Sequence, residues 1–149
     1  MQLSDAASCA NHYSFEEITD GLKVQQAYRI TDELFSAFAQ LFGDYSPIHV
    51  DAEYARQAGF DGRVVHGAIL NGVLSHFCGM IFPGRASHLL SVDLRYLKPT
   101  YVGEEIELRV TVAQKVESLK AIVLKVEFFN ITREMTVCNG RVQVALRNE

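Results

Sequence analysis

The segment Gly43-Asp44-Tyr45-Ser46-Pro47-Ile48-His49-Val50-Asp51 puts two carboxylates and one imidazole into nine residues. On a straight helix, residues five apart point about 140° away from each other. Pro47 removes a backbone donor and drives Ser46 toward extended backbone, so residues 44–51 are expected to form a bent loop and not a regular helix. In such a bend Asp44 and His49 can converge on one water, as general base and general acid. The same string also reads as an Asx-turn at Asp44 beside a solvated His49.

A second segment, His66-Gly67, opens a long apolar run. The first N–H groups of a helix lack partners within it, and glycine lets a ligand approach them closely. The Gly67 N–H, at the positive end of the helix dipole, can hold a developing oxyanion; the plainer reading is an ordinary loop-to-helix glycine. Ser75 lies eight residues on, on roughly the same side, with either a backbone carbonyl or His49 as its partner. Asp44, His49, Asp51 and His66 are residue types that ligate zinc or iron, but their spacing matches no common metal motif. The expectation is no metal.

The elements that must hold these groups read as follows. Residues 23–30 form a short strand. Thr31 caps a helix over 32–42 whose Leu34, Phe35, Phe38, Leu41 and Phe42 share one face, and Gly43 ends it. Residues 53–57 make one helical turn. Residues 65–82 are apolar around most of the helical circumference, which predicts a long helix buried nearly all round and stopped by Pro83-Gly84. Period-two runs follow: Leu90 to Tyr96, Ile106 to Val112, Ile122 to Phe128 and Val142 to Leu146, each expected to bury one face. Strands without intervening helices predict an antiparallel meander, so the fold class is α+β: a curved sheet wrapped around one buried helix. Its open edge predicts pairing into a homodimer.

Composition sets the outer limits. At 149 residues, 48% apolar and 21% charged, the chain reads as a single globular domain over 1–149, with 1–15 a flexible lead-in. A net charge of −4 argues against duplex nucleic acid as partner. No apolar run of about 18 residues suggests a membrane span, and residues 1–15 do not read as a signal peptide. Cys9, Cys78 and Cys138 form no CxxC pair, which reads as reduced thiols in the cytoplasm.

Taken in order, Gly43-Asp44-Tyr45-Ser46-Pro47-Ile48-His49, Asp51-Ala52-Glu53-Tyr54-Ala55, His66-Gly67, Phe82-Pro83-Gly84, Leu94-Arg95-Tyr96-Leu97-Lys98-Pro99 and Val102-Gly103-Glu104 resemble the MaoC-like dehydratases. That is a hot-dog family that includes the R-specific enoyl-CoA hydratases. The resemblance implies that Asp44 and His49 hold and activate water. It implies that Gly67 donates to the thioester oxygen, and that Ser75 falls where some members place a serine supporting the histidine. Ser46 stands where asparagine is common, and a hydroxyl has one donor fewer than an amide. Ser46, Phe60, His66, Leu70 and Ser75 are the candidate substrate contacts, with Phe38, Phe42 and Leu74 as further apolar candidates. Arg56, Arg63, Arg85, Arg95 and Lys98 are available to carrier phosphates; His12, His76 and His88 read as structural or solvent-facing.

The implied reaction is reversible hydration of a trans-2-enoyl thioester of coenzyme A or acyl carrier protein, without metal or redox cofactor. Two alternatives stand beside it. A hot-dog thioesterase would use a carboxylate on or near the long helix, and the absence of any Asp or Glu from residues 65–82 counts against it. A non-catalytic acyl-thioester binding module would have no need of both Asp44 and His49.

Overall fold

In the computed structural model, which describes residues 9–147, strand β1 (Lys23–Arg29) leads through buried Ile30 into helix α1 (Asp32–Phe42). Thr31 caps α1 as its position predicts: its side-chain oxygen accepts from the Leu34 N–H at 3.1 Å. Gly43 ends the helix in the left-handed region at φ 68°, with its N–H donating to the Ala39 carbonyl. Only Phe35 and Ala39 of α1 are buried, whereas Leu41 and Phe42 are exposed, so its apolar face covers less core than its spacing predicts.

Residues 47–50, expected to be irregular, instead form a helical turn, α2 (Pro47–Val50). Proline sits at its first position, where the missing N–H costs no helical bond. Asp51 then caps α3 (Ala52–Gln57), accepting from Glu53 and Tyr54 N–H groups at 2.9 and 3.0 Å.

The long helix is shorter than expected. Val65 still lies outside the helix, its N–H donating to the Thr100 carbonyl; helix α4 runs Ala68–His76 and widens into a π turn over Phe77–Ile81. It is also amphipathic and not buried all round. Ile69, Leu70, Val73 and Leu74 face the core, while Ala68, Asn71, Gly72, Ser75 and His76 form an exposed stripe at helical spacing. The exposed residues are mostly small, so composition alone hides the two faces.

Four further strands follow: β2 (Ser87–Tyr96), β3 (Glu105–Val116), β4 (Ala121–Asn130) and β5 (Met135–Leu146). The sheet is wholly antiparallel, in the order β1-β3-β4-β5-β2. Only β3, β4 and β5 form a meander. β2 crosses to the far edge beside β5, which corrects the expected four-strand meander. Leu108, Val126, Phe128 and Val142 on the inner sheet face join Leu70, Leu74 and Phe77 in one core. β2, expected to bury one face, exposes most of its apolar residues because nothing among the described residues covers it.

Residues 1–8 of the expected flexible lead-in lie outside the described residues. Residues 11–15 are held: the Asn11 and Tyr13 N–H groups donate to the Met80 and Pro83 carbonyls, and Phe15 is buried. Tyr13 also meets the Phe82 ring edge-on, which gives this stretch an apolar anchor.

Candidate active site

Gly43 turns the chain out of α1 and delivers Asp44 to the start of the bend. Asp44 Oδ1 accepts the Ser46 N–H at 3.2 Å, so the Asx-turn exists, and it leaves the second carboxylate oxygen available. α2 then carries His49 back over the loop. His49 Nδ1 lies 2.6 Å from the Val64 carbonyl. A carbonyl only accepts, so Nδ1 carries the proton and Nε2 carries the free lone pair. The same stretch is stitched by Val64 N–H to Ile48 O and Val65 N–H to Thr100 O.

His66 completes the cluster. It is buried, and its Nε2 donates to the backbone carbonyl of Asp44 at 2.9 Å while lying 3.8 Å from Asp44 Oδ2. Its ring stacks on His49 with centroids 3.8 Å apart and a 26° tilt, and packs against Phe35 and Phe38 on other sides. Nδ1 of His66 is buried without a hydrogen-bond partner among the described residues.

Asp44, His49 and His66 bring one ligating atom each within 4.8 Å of one another. The arrangement suits a metal poorly. Stacked rings hold their in-plane lone pairs side by side, His66 Nε2 is engaged by a carbonyl, and Asp51 is engaged in capping α3.

Two cavities meet at this cluster. One, of about 890 Å³, is lined by Tyr28, Leu34, Phe38 and Phe42 and runs along the exposed face of α4. The other, of about 520 Å³, is lined by Phe60, Leu70, Tyr96 and Lys98. His49, His66, Gly67 and Ala68 line both. Gly67 stands at the head of α4, where N–H groups have no partner within the helix.

Of the sequence candidates, Asp44, His49, His66 and Gly67 come together, and Phe60 and Leu70 lie beside them. Ser46 and Ser75 are exposed and line neither cavity; Leu74 is fully buried core. Arg63 is engaged with Asp32 at 3.2 Å, and Lys98 lies at the second cavity.

The family profile described as MaoC like domain matches residues 14–132. The chain belongs to the MaoC-like family. The mitochondrial 3-hydroxyacyl-[acyl-carrier-protein] dehydratase of Arabidopsis thaliana is 31% identical to this MaoC-like chain over 133 residues, 85% of this chain and 79% of the relative. The (R)-specific enoyl-CoA hydratase of Aeromonas caviae is 29% identical over 116 residues, 78% and 87% of the two chains. Among solved structures, the A. caviae (R)-hydratase superposes with a TM-score of 0.82 at 27% identity, covering 89% of this chain and 99% of that one. An R-hydratase of Pseudomonas aeruginosa superposes with a TM-score of 0.85 at 24% identity, covering 94% and 89%. The MaoC-like chain therefore has the hot-dog fold.

Three features of this MaoC-like site were not legible beforehand. The Tyr96 ring lies against Gly67 so closely that a Cβ there would sit 3.0 Å from it, and the Tyr96 hydroxyl accepts from Asn71 at 3.1 Å. His76, expected to be structural or solvent-facing, hydrogen-bonds the Tyr28 hydroxyl at 3.1 Å beside the first cavity. Burial pushes the Tyr28 hydroxyl up to about 12, with a smaller contribution from Cys78. Burial likewise pushes the Cys78 thiol up to about 12 and Cys138 to about 11, so neither is a thiolate nucleophile near neutral pH.

Proposed function

We propose that this chain catalyses the reversible addition of water to a trans-2-enoyl thioester, giving an (R)-3-hydroxyacyl thioester. The observation that carries this reading is the meeting of Asp44, the free Nε2 of His49 and the Gly67 backbone where two largely apolar cavities join. Asp44 and His49 hold one water against C3. Asp44 takes a proton as the oxygen bonds to C3, and the π electrons move onto the thioester oxygen. The Gly67 N–H stabilises that enolate, helped by the positive end of α4. The proton then goes to C2, so one water is added in all; the reverse sequence is dehydration. Acyl group and carrier arm occupy the two cavities. No step calls on a metal or redox cofactor.

The relatives named as (R)-specific enoyl-CoA hydratase and as 3-hydroxyacyl-[acyl-carrier-protein] dehydratase support the substrate class, with coenzyme A or acyl carrier protein as carrier. Two copies pair along the exposed β2 edge as a homodimer. Cys9, Cys78 and Cys138 are joined by no disulfide, which suits a reducing, cytoplasmic setting. The test is turnover of crotonyl-CoA, followed by loss of the conjugated thioester's ultraviolet absorbance. Asp44→Asn keeps the shape of the loop and removes the base, and its rate should fall by about 10²–10⁴-fold. Near-normal turnover in that variant would overturn the assignment of Asp44.

A further inference from the structure

The outer face of the sheet, turned away from α4, carries a basin of about 540 Å³ lined by Arg95, Arg109, Lys125 and Arg141 with Asp93 and Glu127. Its place follows from the register. Thr111 pairs with Lys125, Lys125 with Arg141, and Arg141 with Asp93, so one row crosses β3, β4, β5 and β2. In the next row Arg109 pairs with Glu127, Glu127 with Asn139, and Asn139 with Arg95.

Arg109 is neutralised where it stands: it lies 2.6 Å from Glu107 and 3.5 Å from Glu127, over the Phe129 ring. The other three cations are not. Arg95, Lys125 and Arg141 are exposed and have no ion-pair partner among the described residues. Lys125 and Arg141 stand directly opposite each other, and like charges in directly opposed positions destabilise a sheet. A chain of net charge −4 thus gathers unpaired cations around one concavity, at a cost to its own stability. Binding sites trade stability for function in this way.

We propose that this basin is an anion-binding site for a compact phosphoryl polyanion of diphosphate type. The cations supply charge-assisted hydrogen bonds, with the Arg95 and Arg141 guanidinium forks suited to paired phosphate oxygens. The basin falls within the size range of small-ligand sites. No aromatic residue lines the basin among the described residues, and neighbouring Phe129 lies under Arg109, so recognition rests on the phosphates. The group belongs either to the carrier of the thioester substrate or to a separate phosphorylated metabolite. The first source rests on the reading given under Proposed function; the site itself does not.

Calorimetric titration with inorganic pyrophosphate tests the proposal on the wild-type chain, the Lys125→Thr/Arg141→Thr double variant, and Lys23→Gln on β1, an exposed residue outside all three cavities, as a charge control. The expected result is saturable binding at one site per chain, weakened at least ten-fold in the double variant and kept in Lys23→Gln. Without ligand the double variant should melt higher than wild type, because the like-charge pair is gone. Pyrophosphate should raise only the wild-type and Lys23→Gln melting temperatures. No saturable binding, or equal weakening in Lys23→Gln and the double variant, would overturn the site.

The source of the phosphates is read from KM. A rise for crotonyl-CoA but not for crotonyl-pantetheine in the double variant assigns them to the carrier. Binding of pyrophosphate with both KM values unchanged assigns them to a separate ligand. Should wild type turn over neither thioester, the reaction reading fails while the calorimetry still decides the basin.

Discussion

At the scale of single residues, the site is a set of proton assignments imposed by carbonyl acceptors. The Val64 carbonyl puts the His49 proton on Nδ1 and leaves Nε2 able to act; the Asp44 carbonyl puts the His66 proton on Nε2. His66 therefore fixes the backbone of the residue proposed as base, while its ring fixes the plane of His49. His66→Phe keeps a stacked ring and removes only the donor. It should lower kcat by about 10²-fold, the cost of a small misplacement, and leave KM nearly unchanged. His66→Gln returns a donor and should recover part of the loss. Steady-state kinetics on crotonyl-CoA would show this, and an unchanged kcat in His66→Phe would remove His66 from the positioning of Asp44. Asp44 and His49 were legible in the sequence because a proline bend between a carboxylate and an imidazole is visible there. The donor role of His66 was not, because its acceptor is a backbone carbonyl 22 residues away.

At the scale of elements, the site loop is held from behind by residues 99–104. Val65 pairs with Thr100 and Val64 bridges Tyr101, and that strand end is fixed in turn by Glu104. Glu104 is buried; it accepts from the Tyr101 N–H at 2.8 Å and from Asn130 Nδ2 at 2.7 Å. Arg133 Nε lies 2.6 Å from its other oxygen, too oblique for a hydrogen bond, so that contact is an ion pair. Glu104→Gln keeps the shape and strands Arg133, which should cost about 3 kcal/mol in urea unfolding, the lower end for a broken buried pair because Arg133 is 25% exposed. The sequence showed Val102-Gly103-Glu104 only as a turn into the next strand; three elements converging on one carboxylate leave no local pattern. The caps of α1, the inner faces of β3 and β4, and the bend after Gly43 were legible because each is decided within a few residues. The placement of β2 was not, since period-two alternation reports a strand and says nothing about its neighbours. Burial at this scale also sets a pH response. Cys78 and Cys138 ionise later in the folded chain than unfolded, so the folded chain holds more protons above about pH 9. The stability they contribute is intact below that pH and is lost as pH rises toward 11 and 12. Unfolding free energy measured from pH 8 upward should fall more steeply in wild type than in Cys78→Ala/Cys138→Ala, and parallel slopes would assign the alkaline loss to other groups.

At the scale of the whole molecule, the two edges of the sheet are unlike. β1 presents Lys23, Gln25, Gln26 and Arg29, a polar edge of the kind that resists further pairing. β2 presents Leu90, Val92 and Tyr96 at 48%, 42% and 51% exposure, with Leu97 just beyond. An apolar edge strand left open in a folded chain is an aggregation hazard unless something covers it, and a second copy of the same edge is self-complementary about a two-fold axis. The covering has a consequence for chemistry, because Tyr96 on this strand is the residue packed against Gly67. Val92→Lys places a charge in the middle of that edge without touching either cavity. Sedimentation should show wild type as a dimer and Val92→Lys as a monomer. The monomer should also lose turnover, since Tyr96 would then rest on an unsupported strand. A wild-type monomer with full activity would mean that β2 needs no partner and that the site is complete within one chain. A dimer that survives Val92→Lys would move the interface elsewhere on the molecule.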